Sequence, residues 1–208
     1  MPVRRLDLAG DRDRATRPGR PGRCRVNADV SVRPAVPGDE SRIARVQVAA
    51  WRLAHADALG SEALALVDED AVRDRWSTAI TSPPSTGFHV LVACDGPAVV
   101  GVASVAPVPA PADDPTAAPG GVVLALEVEP LRQRQGHGSR LLAAAVDLLR
   151  ADGADQVLTW VLDGDSAREQ FLASCGLGAD GAVRELAPAR DAQGAERIVV
   201  ERRWSASI

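Results

Sequence analysis

The sequence predicts a single α/β domain in which about seven short strands interleave with about four helices. Three stretches carry that expectation. Val122–Leu149 reads as a β-branched strand, a proline stop, a glycine turn and then a helix, with Leu141, Leu142, Ala145, Leu148 and Leu149 at helical rather than alternating spacing. Phe88–Val105 reads as a hairpin, two apolar runs joined at Asp95-Gly96, a dipeptide suited to a tight turn. Asp165–Gly176 reads as a short helix with an acidic cap and a closing glycine, and two strands follow it.

Residues 1–29 stand apart from this pattern. Up to Arg25 there are eight arginines against three aspartates, a net of +5, so the remainder carries −9 of the overall −4. Arg, Pro and Gly are mixed there without an apolar face, the composition of a disordered tail. It has no apolar targeting core, and Asp7, Asp11 and Asp13 break a transit-peptide pattern. A solvated tail, or a start codon placed too far upstream, is expected, with the folded domain spanning 30–208.

Within that domain, Ser31–Ala35 is expected to be a strand ended near Pro34, and Pro37–Ser41 a helix start with Gly38 or Asp39 at the cap. The helix that follows carries Ile43, Val46, Gln47, Ala50, Trp51 and Ala54 on one stripe and ends at His55 and Asp57. Ala63–Ile80 reads as one further helical region, with Trp76 and Trp51 as core anchors in a chain that has no tyrosine. Thr81–Gly87 is a loop, and Phe88–Cys94 and Ala98–Val105 are the hairpin strands. The five prolines of 107–120 predict a long irregular loop. Then come strand Val122–Val128, a helix from Gly136 to about Ala151, strand Gln156–Leu162, helix Ser166–Ser174, and strands Ala182–Leu186 and Glu196–Trp204.

Composition excludes several functions. A chain of 208 residues, 46% hydrophobic and 25% charged, has the balance of a soluble globular protein with one sizeable core. No run approaches the ~18–20 apolar residues of a membrane span. Cys24, Cys94 and Cys175 are odd in number and far apart, which suits a reducing cytoplasm better than a disulfide framework or a zinc site. His55, His89 and His137 have no metal-ligand spacing. The acidic balance of the folded part argues against nucleic acid as a partner.

The turn between Val128 and Leu141 carries the chemistry. A helix start exposes unpaired N–H groups at the positive end of its dipole, so a glycine turn leading into one can hold phosphate. Arg132, Arg134 and Arg140 add charge beside it. The turn is no Walker A loop, since the chain has no lysine, and no dinucleotide fingerprint, since Arg140 and Leu141 stand where a third glycine is needed.

What the stretch does match is Val-x-Pro, then Gln133-x-x-Gly136-x-Gly138, then Leu-Leu. That order resembles the acyl-CoA-binding motif of the GCN5-related N-acetyltransferase (GNAT) family. Arg33-Pro-Ala and the later Ala50-Trp51-Arg52 resemble the N-terminal part of its members, and Asp165–Leu177 resembles its second CoA-contacting segment. The resemblance implies a mixed, mostly antiparallel central sheet of six to seven strands flanked by about four helices, with a splay between the fourth and fifth strands.

It also implies an activity, transfer of acetyl from acetyl-CoA to a primary amine of a small molecule or protein by direct attack, without a metal. The cofactor-binding groups it implies are the backbone of Leu126 and Val128, the stretch Gln133, Arg134, Gln135, Gly136, His137, Gly138 and Ser139, and Asp165 and Arg168. Glu127 is the candidate base, flanking Val128 on the same side as Glu129 unless a bulge breaks the parity. Glu129, beside Pro130, is expected at the surface. The family's usual tyrosine acid falls on Leu172, so the thiolate leaves unassisted, or water serves, or the protein binds CoA without efficient transfer. A monomer or homodimer is expected, with an exposed C-terminal edge strand available for pairing.

Overall fold

The computed structural model describes residues 30–110, 119–190 and 196–208. The expected N-terminal tail and the centre of the Pro-rich loop lie outside the described residues. The strands are β1 (Val30–Pro34), β2 (His89–Asp95), β3 (Ala98–Val108), β4 (Gly120–Val128), β5 (Gln156–Leu162), β6 (Gly178–Arg190) and β7 (Glu196–Ser207). The helices are α1 (Glu40–Ala54), α2 (Ala56–Leu59), α3 (Ser61–Ala65), α4 (Glu69–Thr81), α5 (His137–Ala151) and α6 (Ser166–Ser174).

All seven strands form one sheet in the order β1-β2-β3-β4-β5-β7-β6. Only β4 and β5 run parallel, joined by α5 as parallel strands require. Their pairing ends at Val123 opposite Thr159, where the Thr159 hydroxyl donates to the Val123 carbonyl at 3.0 Å. Beyond that rung β4 continues to Val128 with no partner strand on this flank among the described residues, while β5 remains paired with β7. The predicted splay lies here.

Alternation along the strands builds a core on each face of the sheet. Leu91, Ala93, Ala103 and Val157 pack with Leu141, Leu142, Ala145 and Leu149 of α5 and Leu172 of α6. Val90, Val92, Val99 and Val102 pack with Ile43, Ala44 and Val48 of α1 and Val72 and Trp76 of α4. Trp76 donates its indole N–H to the buried Gln47 Oε1 at 2.8 Å, which satisfies the one polar group on the apolar stripe of α1. Trp76→Phe is expected to destabilise the fold by about 1–3 kcal/mol, because it strands the Gln47 amide. Urea unfolding of that variant beside Trp76→Phe/Gln47→Leu, in which the loss is partly recovered, checks the assignment.

The structure corrects four expectations. The region Ala63–Ile80 is not one helix: α3 stops at Ala65, Leu66 is 85% exposed, and Asp68 starts α4 by accepting from the N–H groups of Asp70 and Ala71. An acidic cap thus overrides an apolar run. The loop at 107–120 is shorter than predicted, because β3 runs to Val108 and β4 starts at Gly120. Of the two tryptophans, Trp76 is a buried anchor whereas Trp51 is half-buried. Finally, the C-terminal strand β7 is interior, between β5 and β6, and the sheet edges are β1 and β6.

A bulge in β4 sets the orientation of the residues past it. Ser104 pairs with Ala125 and Val105 with Val123, leaving Leu124 as the extra residue. Val123 therefore belongs to the α5-side core, yet Ala125, two residues on, belongs to the core under α1 and α4. Such a bulge reverses the parity of everything after it. Glu127 follows Ala125 and pairs with Val102 of that same core, so its side chain faces the α1 and α4 side.

Candidate active site

The site begins with the unpaired flank of β4. An extended strand presents its backbone groups alternately to its two flanks. Glu129 donates its N–H to the Val100 carbonyl at 2.8 Å on the β3 side. Leu126 and Val128 consequently turn theirs to the splay, and there the two carbonyls meet side chains from elsewhere. Arg168 Nη1 donates to Leu126 O at 2.8 Å, and Gln133 Nε2 donates to Val128 O at 3.2 Å. Arg168 arises from α6, and its Nη1 also lies 3.6 Å from Glu127 Oε2. That separation is a charge contact and too long for a hydrogen bond.

Glu127 is 7% exposed, and among the described residues no donor reaches its carboxylate within hydrogen-bond distance. The expected parity with Glu129 holds, because the bulge lies upstream of both. Glu129 is not the surface carboxylate predicted. It is half-buried and paired with Arg42 of α1 at 2.7 Å, while Arg42 Nε bonds the Val99 carbonyl at 2.8 Å. Glu129 is therefore engaged in holding α1 to the sheet, whereas Glu127 has only the 3.6 Å charge contact with Arg168 among the described residues.

The turn after β4 has two left-handed residues, Arg134 at φ 62° and Gly136 at φ 82°. Gly136 precedes α5, and the first backbone bond there is Arg140 N to Gly136 O at 3.2 Å. The N–H groups of His137, Gly138 and Ser139 come before it, at the positive end of a 15-residue helix. A Cβ at Gly138 would make ordinary van der Waals contact, 3.5 Å from the Phe171 ring and 3.7 Å from Val128. The start of α5, α6 and the end of β4 converge at that point. Of the three arginines expected to add charge, Arg132 is paired with Asp95 at 2.8 Å. Arg140 bonds the Gln135 carbonyl at 3.2 Å, and Gln135 Nε2 returns to the Leu131 carbonyl at 3.3 Å. Arg134 and Arg140 stand exposed without an acidic partner among the described residues.

His137 differs from its neighbours. Its imidazole is 1% exposed and Nδ1 has no hydrogen-bond partner among the described residues, so only its backbone faces the turn. Burial, seconded by Arg140 and Arg132, holds its pKa below the ordinary 6.5 against the opposing pull of Asp95. The unfolded chain then binds a proton that the folded chain resists, and stability falls as pH drops below 6.5. His137→Leu is expected to flatten that decline in denaturant midpoints measured from neutral to mildly acidic pH.

Asp165 caps α6, its Oδ1 accepting from Arg168 N at 3.0 Å, so its carboxylate serves the helix. Leu172, on the expected tyrosine position, is 1% exposed and part of the α5-side core. The sequence did not reveal the Arg42–Glu129 anchor or the reach of Arg168 into the splay. Nor did it reveal a hollow of about 390 Å³ beside the splay, lined by Val122, Leu158, Trp160, Arg184, Glu201 and Arg203 among others. Leu158 and Trp160 alternate with Val157 and Val161 of the α5-side core, so the hollow opens on the face that Glu127 faces. Arg184 stacks 4.3 Å above the Trp160 ring and pairs with Glu201. The residues of the turn do not line it.

Among the described residues no helix is long and apolar enough to cross a membrane. No curated protein matches the chain. Solved structures do. The ribosomal-protein-alanine N-acetyltransferase of Brucella melitensis is 20% identical, with 86% of this chain and 99% of that one aligned at a TM-score of 0.59. The PaiA N-acetyltransferase of Thermoplasma acidophilum, solved with coenzyme A, is 14% identical over 83% and 97%, at 0.57. YncA of Salmonella typhimurium, solved with its cofactor acetyl-CoA, is 19% identical over 87% and 94%, at 0.58. At these identities the likeness is one of fold. The family model described as Acetyltransferase (GNAT) family matches residues 51–177, from Trp51 in α1 through the turn to Leu177 after α6. That match covers more than half of the chain and includes β4, the glycine turn and α6, and the chain belongs to the GNAT acetyltransferase family.

Proposed function

We propose that the protein is an N-acetyltransferase that takes acetyl from acetyl-CoA and passes it to a primary amine of a small molecule or protein. The observation that carries this reading is the free flank of β4, with Leu126 and Val128 facing the splay, leading directly into a left-handed glycine turn at the start of α5. The residues present fit the donor. The amides of His137, Gly138 and Ser139 bind the pyrophosphate, and exposed Arg134 and Arg140 neutralise it. The backbone groups of Leu126 and Val128 pair with the pantetheine as a strand would, Arg168 and Gln133 yielding the two carbonyls they hold in its absence. When bound, acetyl-CoA supplies an activated acyl group.

Glu127 takes the proton the amine must lose, directly or through a water, because an ammonium has no lone pair with which to attack. The Val128 N–H supports the carbonyl oxygen as charge develops on it. The hollow on the face that Glu127 looks onto is the room assigned to the acceptor. A second reading is a CoA-binding module without efficient turnover, favoured by Leu172 in place of the tyrosine acid. Calorimetry with acetyl-CoA followed by a panel of amines with thiol detection separates the readings. Binding with thiol release supports the first, binding without release the second, and no heat at high micromolar ligand refutes both.

A further inference from the structure

We infer that Arg168 does the work at the sulfur that the family's tyrosine does elsewhere, not by donating a proton but by holding the departing thiolate as an ion pair. This rests on the acetyl-transfer reading above. Arg168 lies four residues before Leu172 on α6, one helical turn away on the same face. Leu172 is locked in the core and has no polar atom. Arg168 takes the opposite course. Its guanidinium reaches Leu126 O at 2.8 Å and stops 3.6 Å from Glu127 Oε2, beside the strand segment along which the thioester would lie.

Only Nη1 has protein partners among the described residues, so Nε and Nη2 remain as donors. Arg168 stands in a partly enclosed gap, with its side chain 21% exposed. A positive charge that stays in this gap after yielding the Leu126 carbonyl to the pantetheine is screened less than it would be at the surface. Guanidinium stays protonated at any working pH, so it serves as an electrostatic partner and not as an acid.

The step balances on that basis. Attack forms the C–N bond and breaks the C–S bond. The C–S electron pair leaves on sulfur as thiolate, which Arg168 holds. Glu127 first passes the ammonium proton on to solvent, then takes the second proton that nitrogen sheds as the C–N bond forms, and solvent later protonates the released thiolate and takes that proton from Glu127. The arrangement explains how a chain without tyrosine can expel the leaving group.

The test is the titration of coenzyme A thiol bound to the full chain, read by thiolate ultraviolet absorbance, with S-methyl coenzyme A as the blank for the protein's own thiols. In the wild type the bound thiol is expected to ionise about one pH unit or more below free coenzyme A. Arg168→Gln returns it to the free value, and Arg168→Lys, which keeps the charge, retains part of the shift. Calorimetry on the same samples reports binding independently. Binding with a thiol that titrates as in free solution in the wild type, or identically in wild type and Arg168→Gln, overturns the inference and leaves the acetyl-transfer reading standing. Absence of binding by the wild type overturns both.

Discussion

Glu127→Gln is expected to lower kcat for amine acetylation about 10²- to 10³-fold while leaving acetyl-CoA affinity within about twofold. The substitution keeps the volume of a side chain that is 7% exposed and packed beside the end of β4, so the fold is not at issue. It removes the ability to accept a proton. The specificity of the assignment comes from Glu129. Both carboxylates face the same side of the strand, but Glu129 is held at 2.7 Å by Arg42, which is itself fixed to the Val99 carbonyl. Glu129→Gln should leave kcat nearly unchanged. It should loosen α1 by no more than about 1 kcal/mol, the usual scale for a half-exposed ion pair. The two variants together distinguish a base from a general need for negative charge near the splay. Full turnover by Glu127→Gln removes the carboxylate from the mechanism. Parallel losses in both variants would point instead to misplacement of β4.

The legibility of this molecule in its sequence follows a physical line. Elements whose signals are local were readable: the β-branched run of β4, the Asp95-Gly96 turn, the Asp165 cap and Gly176 closure of α6, and the apolar stripe of α5. Each depends on residues within a few positions of one another. The glycine turn was readable too, because Gly136 must adopt a positive φ and the helix after it follows the apolar spacing. Features made by distant residues were not. The bulge at Leu124 depends on the register against Ser104 and Val105, and only that register fixes which face Glu127 takes. The Arg42–Glu129 anchor joins residues 87 positions apart, and the Arg168–Leu126 bond spans 42. His137 shows the same limit within the motif itself. The motif offers its amide to the cofactor, but nothing local showed that the first turn of α5 directs its ring into the protein, where it is 1% exposed. The break at Leu66–Asp68 is a local error, a run of apolar residues outweighing a cap that was visible in the sequence.

Gly136→Val is expected to weaken acetyl-CoA binding about 100-fold or more, the largest loss from any single position in the turn. Two effects combine. A β-branched residue at φ 82° carries a strain of about 1–2 kcal/mol relative to glycine. A Cβ at this position would also lie 2.8 Å from Arg140 Nη1, the end of an exposed side chain that swings aside at small cost while losing its bond to the Gln135 carbonyl. The backbone would relieve the strain by rotating Gly136 out of the left-handed region, and the amides of His137 and Gly138 would rotate with it. The contrast is Arg134, which holds φ 62° without being glycine. A strained non-glycine residue persists where its side chain has a use. Arg134→Gly should therefore raise the thermal midpoint slightly and weaken acetyl-CoA binding severalfold, by removing one of the two exposed cations of the turn. Calorimetry and thermal unfolding on the same two variants read both quantities. If Arg134→Gly gained stability and bound acetyl-CoA as tightly as the wild type, the strain at Arg134 would have no role in holding the phosphates, and the cradle would rest on the α5 amides and Arg140.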